Sequence, residues 1–226
     1  LVDQLHLKIP VFRGAGEKSS STETPAADFL VKIVNQHPKE ITLLATGPLS
    51  NLHAAAKLGP HFYSKVKRIA TMGGYLTPFR LGYRNLKELN FSADPQAAFN
   101  LLNASCPVTV FPGSTALEAT YKLGDILRAD YWPPKLKGIL LKWLIAFGVY
   151  CAVTQFYLWD LLPAVYLTKP SLFSFENFPI ASTVADLQEG MLVPGNTIEE
   201  GAIINIEMRI RDRTGFYQQL ERAWQK

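Results

Sequence analysis

The sequence predicts an α/β protein in which a mainly parallel central sheet is flanked by helices and the C-terminal half is largely helical. Short apolar runs alternate with segments of helical periodicity up to Phe111, which is typical of strand–helix–strand units. These runs end in glycine- or proline-containing turns. No repeat or long linker divides the 226 residues, so we expect a single domain spanning residues 1–226.

The N-terminal part is expected to lead into the sheet. Leu1–Lys8 has the apolar spacing of an amphipathic helix, and Ile9–Phe12 is a short apolar run that predicts a strand. The polar segment Gly14–Pro25 predicts a loop. Ala26–Asn35 places its apolar side chains on one face, which predicts a helix packed on the sheet.

The stretch ITLLATGPLSN, residues 41–51, carries the clearest strand-to-helix transition. Ile41–Leu44 predicts a buried parallel strand, and Thr46–Pro48 breaks it. A helix follows, capped by Ser50 or Asn51 and reaching Leu58. Ligands of open α/β sheets bind at the carboxyl edge of the strands, which makes this turn a candidate site. An ordinary strand–helix turn is the alternative.

The remaining elements continue the alternation and then become helical. Val66–Met72 and Val108–Phe111 predict strands, with a helix at Pro95–Leu102 between them. Lys122–Val165 reads as mostly helical. Three further strands and a closing helix are predicted at Ile180–Val184, Met191–Val193, Ile203–Ile210 and Phe216–Trp224.

Composition narrows the classes of function. The chain is 48% hydrophobic and 19% charged, which excludes wholesale disorder. Its net charge of +4 comes from scattered side chains, which favours no nucleic-acid partner. Cys106 and Cys151 match no metal or redox spacing, so buried reduced thiols and a cytoplasmic location are expected. Gly138–Val153 is apolar but too short to cross a membrane and contains Lys142, which predicts a buried core helix and no membrane partner.

Polar residues cluster at strand ends or loop tips in four places: Thr46–Gly47, the segment from Met72 to Asn90, Ser114–Thr115 and Trp159–Asp160. In an extended segment Glu88 and Asn90 point the same way, and a carboxylate beside an amide suits a polyol. The alternative is a loop glutamate and an asparagine that caps the following helix.

Asp160 stands among apolar residues, where a lone carboxylate needs a cation, a metal or a hydrogen-bond partner. The alternative is an N-cap for a helix that starts at Pro163. The four histidines show no metal spacing, and His53 is interpreted as a packed or surface residue.

Together these clusters resemble the nucleoside hydrolase family, which includes the inosine-uridine preferring nucleoside hydrolases. The resemblance runs from Ile9 to the C-terminus. It rests on the order and spacing of four segments: ITLLATGPLSNL at 41–52, TMGG at 71–74, ELNFSADPQAA at 88–98 and LWDLLPAVYLTKPSLF at 158–173. It implies a Rossmann-like fold, a dimeric or tetrameric homo-oligomer, and hydrolysis of nucleosides to base and ribose. Ca²⁺ would hold the attacking water and the ribose hydroxyls, with an oxocarbenium-like transition state.

The resemblance also implies roles for single residues. The backbone carbonyl of Thr46 and the carboxylate of Asp160 are similar to calcium ligands of the family, and hard oxygen donors suit this ion. Met72, Glu88 and Asn90 resemble ribose contacts.

Trp159 stands where many members have a histidine that acts as the leaving-group acid. In this the chain is similar to the purine-preferring branch, in which a tryptophan stacks on the base. We therefore expect purine nucleosides such as inosine to be favoured.

The chain departs from the family in its aspartates and its loops. The N-terminal D-x-D-x-x-x-D-D type motif of the family supplies the catalytic base and most calcium carboxylates, and this sequence has no D-x-D and no Asp-Asp pair. Because the first residue is Leu1, we expect this strand to lie before it. Gly82–Asn85 reads GYRN where the family has Gly-Asn, so that Asn85 would replace that amide from a shifted position.

Two hypotheses of different class follow, a Ca²⁺-dependent nucleoside N-ribohydrolase and a catalytically inactive relative with a binding or regulatory role. A third is that a separate chain supplies the N-terminal piece. We expect the 226 residues alone neither to bind Ca²⁺ tightly nor to turn over nucleosides.

Overall fold

A computed structural model of the chain describes residues 8–16, 23–78, 80–196 and 202–224. The helix expected at Leu1–Lys8 lies outside these ranges except for its last residue, as does the middle of the loop expected at Gly14–Pro25.

Within the described ranges the strands are β1 (Thr42–Ala45), β2 (Arg68–Met72), β3 (Arg80–Leu81), β4 (Arg84–Asn85), β5 (Val108–Phe111), β6 (Thr120–Lys122), β7 (Gln155–Tyr157), β8 (Phe173–Ile180) and β9 (Ala202–Ile210). Five of these form the central sheet, in the order β1–β2–β5–β9–β8. β1, β2, β5 and β9 are parallel, and β8 pairs antiparallel with β9 at the edge. The expected mainly parallel sheet is confirmed. β3 pairs with β4 and β6 with β7 outside it.

Helices cover both faces of this sheet. Those of the described residues are α1 (Pro25–Gln36), α2 (Ser50–Leu58), α3 (Phe62–Lys65), α4 (Pro95–Leu102), α5 (Leu123–Arg128), α6 (Pro134–Cys151), α7 (Leu161–Thr168), α8 (Val184–Gln188) and α9 (Arg213–Trp224). Helices α1 and α4 begin with the same local sequence pattern. Each has proline at its first position, preceded by a Thr24 or Asp94 side chain that accepts a backbone N–H of the first turn.

Alternation along the strands assigns side chains to two apolar layers. Ile69 of β2 and Val110 of β5 join the cluster formed with α1, α2 and α4. Their neighbours Ala70 and Phe111 join the cluster on the other face, formed with α7 and α9. Successive residues of a strand point to opposite faces. The buried run VTVF therefore serves both layers, as expected of a parallel strand.

Several expected elements are wrong. Ile9–Phe12 forms no strand. Its side chains are largely exposed, and the Phe12 ring stacks on Phe29 at 4.2 Å. The strand expected at Ile180–Val184 ends at Ile180. Val184 begins α8, because Thr183 and Asp186 form a capping box there.

The strand expected at Met191–Val193 is reduced to a single bridge between Met191 and Tyr75. The segment before Ile180, which carried no prediction, is a strand of eight residues, and its Pro179 is tolerated because β8 lies at the sheet edge.

The cap expected for α2 is also wrong. Leu49 occupies the N-cap position without a side-chain hydrogen bond. The Asn51 side chain instead accepts the backbone N–H of Ala15 at 2.9 Å, which holds the N-terminal segment against this helix. Asparagine commonly caps helices, but the side chain of Asn51 instead joins two segments that are distant in sequence.

Helix α6 is not the buried core helix that its composition predicts. It packs through one side, where Leu144 and Cys151 are buried, while Trp143, Ile145 and Val149 are 60%, 66% and 77% exposed. Apolar composition alone does not tell a core helix from one that packs through a single face. No helix in the described part of the chain is long and apolar enough to cross a membrane. Cys106 and Cys151 are buried free thiols, as expected.

Candidate active site

The carboxyl ends of β1, β2 and β5 lie side by side at one edge of the sheet. The register pairs Ala45 with Thr71, so Thr46 follows β1 where Met72 ends β2. Gly73 donates its N–H to the Phe111 carbonyl at 3.2 Å, and Gly113 donates to the Gly74 carbonyl at 2.8 Å. The predicted clusters after β1, β2 and β5 therefore share this edge, where ligands of α/β sheets bind.

Asn90 is anchored to the end of β2. Its side-chain N–H₂ donates to the Met72 carbonyl at 2.9 Å and contacts the Met72 sulfur at 3.2 Å. This arrangement assigns nitrogen to the β2 side, so the amide oxygen remains as an acceptor. The alternative that Asn90 caps the next helix is wrong, because Asp94 accepts the Ala97 N–H there.

Glu88 is 7% exposed and organises the loop that carries Asn90. One carboxylate oxygen accepts the backbone N–H of Asn90 at 2.7 Å, and the other accepts that of Ser92 at 2.8 Å. The Ser92 hydroxyl donates back to the Glu88 carbonyl. Both carboxylate oxygens are thus engaged within the loop, and a ribose contact of Glu88 stays a prediction.

A second loop supports Glu88 from outside. The N–H of Tyr75 donates to the Gly190 carbonyl at 2.9 Å, and the Tyr75 hydroxyl donates to the Glu189 carbonyl at 2.5 Å. Gly190 has φ +79°, and a Cβ there would lie 2.3 Å from the Cβ of Glu88. Only glycine suits this position. Sequence reasoning missed the contact, and its one local signal was a Glu-Gly pair typical of a turn.

Asp160 precedes the first turn of α7 without capping it. The helix begins at Leu161 rather than Pro163, and the Asp160 side chain makes no cap hydrogen bond. Desolvation by the surrounding protein raises the pKa of this carboxyl, although the side chain keeps contact with solvent. Among the described residues it has no hydrogen bond or ion pair, but the side chain is exposed, so water can hydrate the carboxylate and the sequence expectation that it needs a protein or metal partner does not follow from its surroundings.

Trp159 belongs to an aromatic cluster. Its ring is stacked on that of Tyr157, with centroids 5.2 Å apart and planes 18° apart, and the Phe147 ring meets it edge-on at 5.8 Å. Tyr157 thus occupies one ring face, and a stacked base would use the other. The indole N–H has no hydrogen-bond partner among the described residues.

Within the described ranges, no hydrogen bond joins Asn90 to the remaining predicted residues. Asn85 is exposed at the end of β4, opposite Arg80. Ser114 precedes a 3₁₀ turn at Thr115–Glu118. His53 bonds the Asn100 side chain at 2.9 Å, and its pKa is lowered by burial and then by Lys57, which fits its expected packing role.

The family described as "Inosine-uridine preferring nucleoside hydrolase" matches residues 4–218. The chain belongs to this family of nucleoside hydrolases. The suspected resemblance is confirmed.

Similar proteins include nucleosidases with different named substrates. Uridine nucleosidase 1 of Arabidopsis thaliana is 32% identical over 164 residues, which are 69% of this chain and 47% of that protein. The inosine-uridine preferring nucleoside hydrolase of Crithidia fasciculata is 35% identical over 99 residues, 41% of this chain and 29% of that protein. The chain thus spans less than half the length of these curated relatives.

Solved nucleoside hydrolase structures share the fold. A purine-preferring ribonucleoside hydrolase from Gardnerella vaginalis superposes with a TM-score of 0.77 at 21% identity, covering 92% of this chain and 67% of that one. A plant nucleoside hydrolase gives 0.75 at 22% identity, covering 99% and 72%. At this identity the likeness establishes the α/β architecture of the chain.

Nucleoside hydrolases use a metal ion. Thr46 and Asp160 offer hard oxygen donors of the type that suits Ca²⁺, which takes 6–8 oxygen ligands. The part of the chain that the structure describes contains no group of three or more His, Cys, Asp or Glu side chains that could hold a metal. The Asp160 carboxylate and the Thr46 carbonyl are thus the oxygen donors that these residues would offer such an ion.

Proposed function

We propose that this nucleoside hydrolase cleaves the N-glycosidic bond of ribonucleosides to free base and ribose, with inosine and other purine nucleosides favoured. The role would be nucleoside catabolism. The observation that carries the proposal is the Asn90 amide, which bonds the Met72 carbonyl at 2.9 Å at the site-bearing edge of the sheet. Because residues 4–218 match a family of nucleoside hydrolases, we interpret this amide as a contact for the ribose of a nucleoside.

Asn90 suits recognition of ribose through its free amide oxygen. A hydroxyl group both donates and accepts, so a sugar hydroxyl can donate to this oxygen. The amide is already oriented by β2, and the Glu88 carboxylate holds its backbone. A pre-oriented acceptor fixes the sugar without ordering the loop first, which is how positioning contributes to catalysis.

Trp159 supports the purine preference. An indole ring offers a large surface for stacking on a base. A bicyclic purine covers more of that surface than a pyrimidine. The names of similar proteins do not favour either class of base, since they include uridine nucleosidases and a purine-preferring hydrolase. The preference therefore rests on this residue.

Calcium dependence belongs to the same proposal. Asp160 supports it, because its carboxylate is exposed beside the start of α7 and has no hydrogen-bond or ion-pair partner within the described ranges, which leaves its oxygens available to a cation. Bound calcium would polarise an attacking water. The Thr46 carbonyl would be a second ligand, and the D-x-D carboxylates that the family resemblance assigns to the metal and the base do not occur in the 226 residues.

The second candidate is a catalytically inactive relative that binds nucleosides in a regulatory role. It is favoured by the lack of any D-x-D or Asp-Asp pair in the 226 residues. Both candidates share the Asn90 and Trp159 contacts and differ in turnover alone.

The deciding experiment measures ribose release from inosine, adenosine and uridine, with and without EDTA, on protein from the complete reading frame. Release that EDTA abolishes and added Ca²⁺ restores supports the hydrolase, and a higher rate on inosine than on uridine supports the purine preference. Folded protein that binds inosine without turnover would favour the inactive relative. A faster reaction with uridine would overturn the preference read from Trp159.

Assembly and compartment complete the proposal. A homo-oligomer, dimer or tetramer, follows from the family resemblance, and light scattering on the purified protein tests it. The two unpaired cysteines favour the cytoplasm. Scattered basic side chains favour no nucleic-acid partner.

A further inference from the structure

The segment GYRN at Gly82–Asn85, which departs from the family pattern, forms a hairpin held against the end of α6. β3 and β4 pair Arg80 with Asn85 and Leu81 with Arg84, around a turn at Gly82. Gly82 has φ +57°, and a Cβ there would lie 1.7 Å from the Cys151 carbonyl oxygen. The turn therefore lies directly on the C-terminal backbone of α6, at a distance that only glycine permits.

Among the described residues, Arg84 makes the shorter of two side-chain hydrogen bonds that join the hairpin to the helix, the other being a long one of 3.5 Å from the Tyr83 hydroxyl to the Val149 carbonyl. The Arg84 Nε donates to the Tyr150 carbonyl at 2.6 Å. Its guanidinium carbon lies 4.0 Å from the centroid of the Tyr150 ring and 5.2 Å from that of Tyr83. The last carbonyls of a helix carry partial negative charge, and aromatic faces attract cations. The side chain thus meets both the backbone and a ring of the last turn of α6.

The clamped hairpin covers the aromatic cluster that contains Trp159. Leu81, paired with Arg84, is 5% exposed and packs in one apolar cluster with Cys151 and Tyr157, against which Trp159 lies. The same hairpin ends at Asn85. Both predicted substrate contacts of this region therefore depend on where the hairpin lies.

We propose that Arg84 is a positioning residue of the nucleoside site: by clamping the β3–β4 hairpin onto the end of α6, it holds Asn85 and the aromatic wall of Trp159 in place for the base. This inference rests on the proposed function for its ligand, while the clamp itself is independent of it. Arg84 acts through its neighbours and need not touch the substrate.

The clamp is tested by hydrogen exchange and mass spectrometry on Arg84→Ala, Arg84→Lys and the matched control Arg80→Ala. Arg80 lies on the same hairpin, and within the described part of the chain its side chain bonds only the Tyr83 carbonyl, at 3.2 Å. Arg84→Ala should speed exchange in residues 80–86 and 147–153 together, and Arg80→Ala should leave 147–153 unchanged. Lysine keeps the charge but not the planar fork, so Arg84→Lys should restore part of the protection. Unchanged exchange at 147–153 in Arg84→Ala would overturn the clamp.

The link to the site is tested by steady-state kinetics with inosine on the same three variants and the wild type, all made in the complete reading frame. A misplaced stacking wall weakens binding of substrate and transition state alike, so KM should rise about tenfold in Arg84→Ala while kcat stays within about twofold. Arg80→Ala should match the wild type. A normal KM in Arg84→Ala would refute the positioning role. A wild-type protein that neither hydrolyses nor binds inosine would instead refute the proposed function, and the exchange data would still decide the clamp.

Discussion

Replacing Glu88 by glutamine should release the loop that carries Asn90. The carboxylate accepts two backbone N–H groups, from Asn90 at 2.7 Å and from Ser92 at 2.8 Å, at a position 7% exposed. Glutamine keeps one acceptor oxygen and turns an N–H₂ group toward the other donor. One hydrogen bond is lost and one buried N–H is left without a partner.

The magnitude follows from these two changes. A hydrogen bond to a charged group contributes about 1.5–3 kcal/mol, and an unpaired buried donor costs about 1–3 kcal/mol. Because the loop can shift toward solvent, we expect the free energy of unfolding to fall by about 2–4 kcal/mol. Urea unfolding followed by circular dichroism measures this difference.

The matched control is Asp94→Asn, the same carboxylate-to-amide change in the same loop region. Asp94 uses one oxygen, accepting the Ala97 N–H at 3.0 Å, and asparagine caps helices as well as aspartate. The control should stay within about 0.5 kcal/mol of the wild type. An unfolding free energy unchanged in Glu88→Gln would refute the loop-holding role. Lost kcat/KM with unchanged stability would show that Glu88 contacts the ribose directly.

Three further predictions concern the metal, a glycine and pH. In protein from the complete reading frame, Asp160→Asn should abolish the rise in melting temperature that Ca²⁺ gives the wild type, and an equal rise in both proteins would exclude Asp160 as a ligand. Gly190→Ala should destabilise by about 2 kcal/mol or more because its Cβ would overlap Glu88, whereas Gly47→Ala, with open space around it, should stay within about 0.5 kcal/mol, as thermal unfolding can measure. Hydrogen bonds from the α8 N-cap lower the pKa of Asp186 below 3.8 in the folded state. Its stabilisation is therefore present above pH 3.8 and lost as pH falls through the folded pKa. Asp186→Asn should lower the melting temperature at pH 7 and match the wild type at lower pH, and a difference that persists there would contradict the assignment.

The local sequence correctly predicted those strands and helices in which the apolar pattern and the residues at the ends of the element indicate the same structure. β5 reads as a continuous apolar run, and α4 starts with Asp94 and Pro95, which fix its cap and first turn. Ile9–Phe12 misled because a short apolar run fits a strand only where a partner strand is available. The apolar pattern at Ile180–Val184 predicted a strand that runs too far, because it does not take account of the capping box with which Thr183 starts α8.

The sequence indicated which residues belong to the candidate site. The contacts that hold them in place involve segments distant in sequence, and only the structure shows these contacts. Sequence spacing proposed that Glu88 and Asn90 act side by side, but their pairing with Ser92 and Met72 depends on the path of the loop. The support from Gly190 lies about a hundred residues away in the chain, and no local pattern encodes it.

The sequence by itself determined the α/β class, the family and the residue types at the carboxyl edge of the sheet, because hydrophobic period, turn residues and motif order are local properties of the chain. The tertiary structure alone decided that Glu88 faces its own loop, that α6 leaves one side exposed, and that Arg84 holds a hairpin on that helix. Each of these features depends on which residues, distant in sequence, come into contact in the folded chain. That geometry arises only when the layers pack.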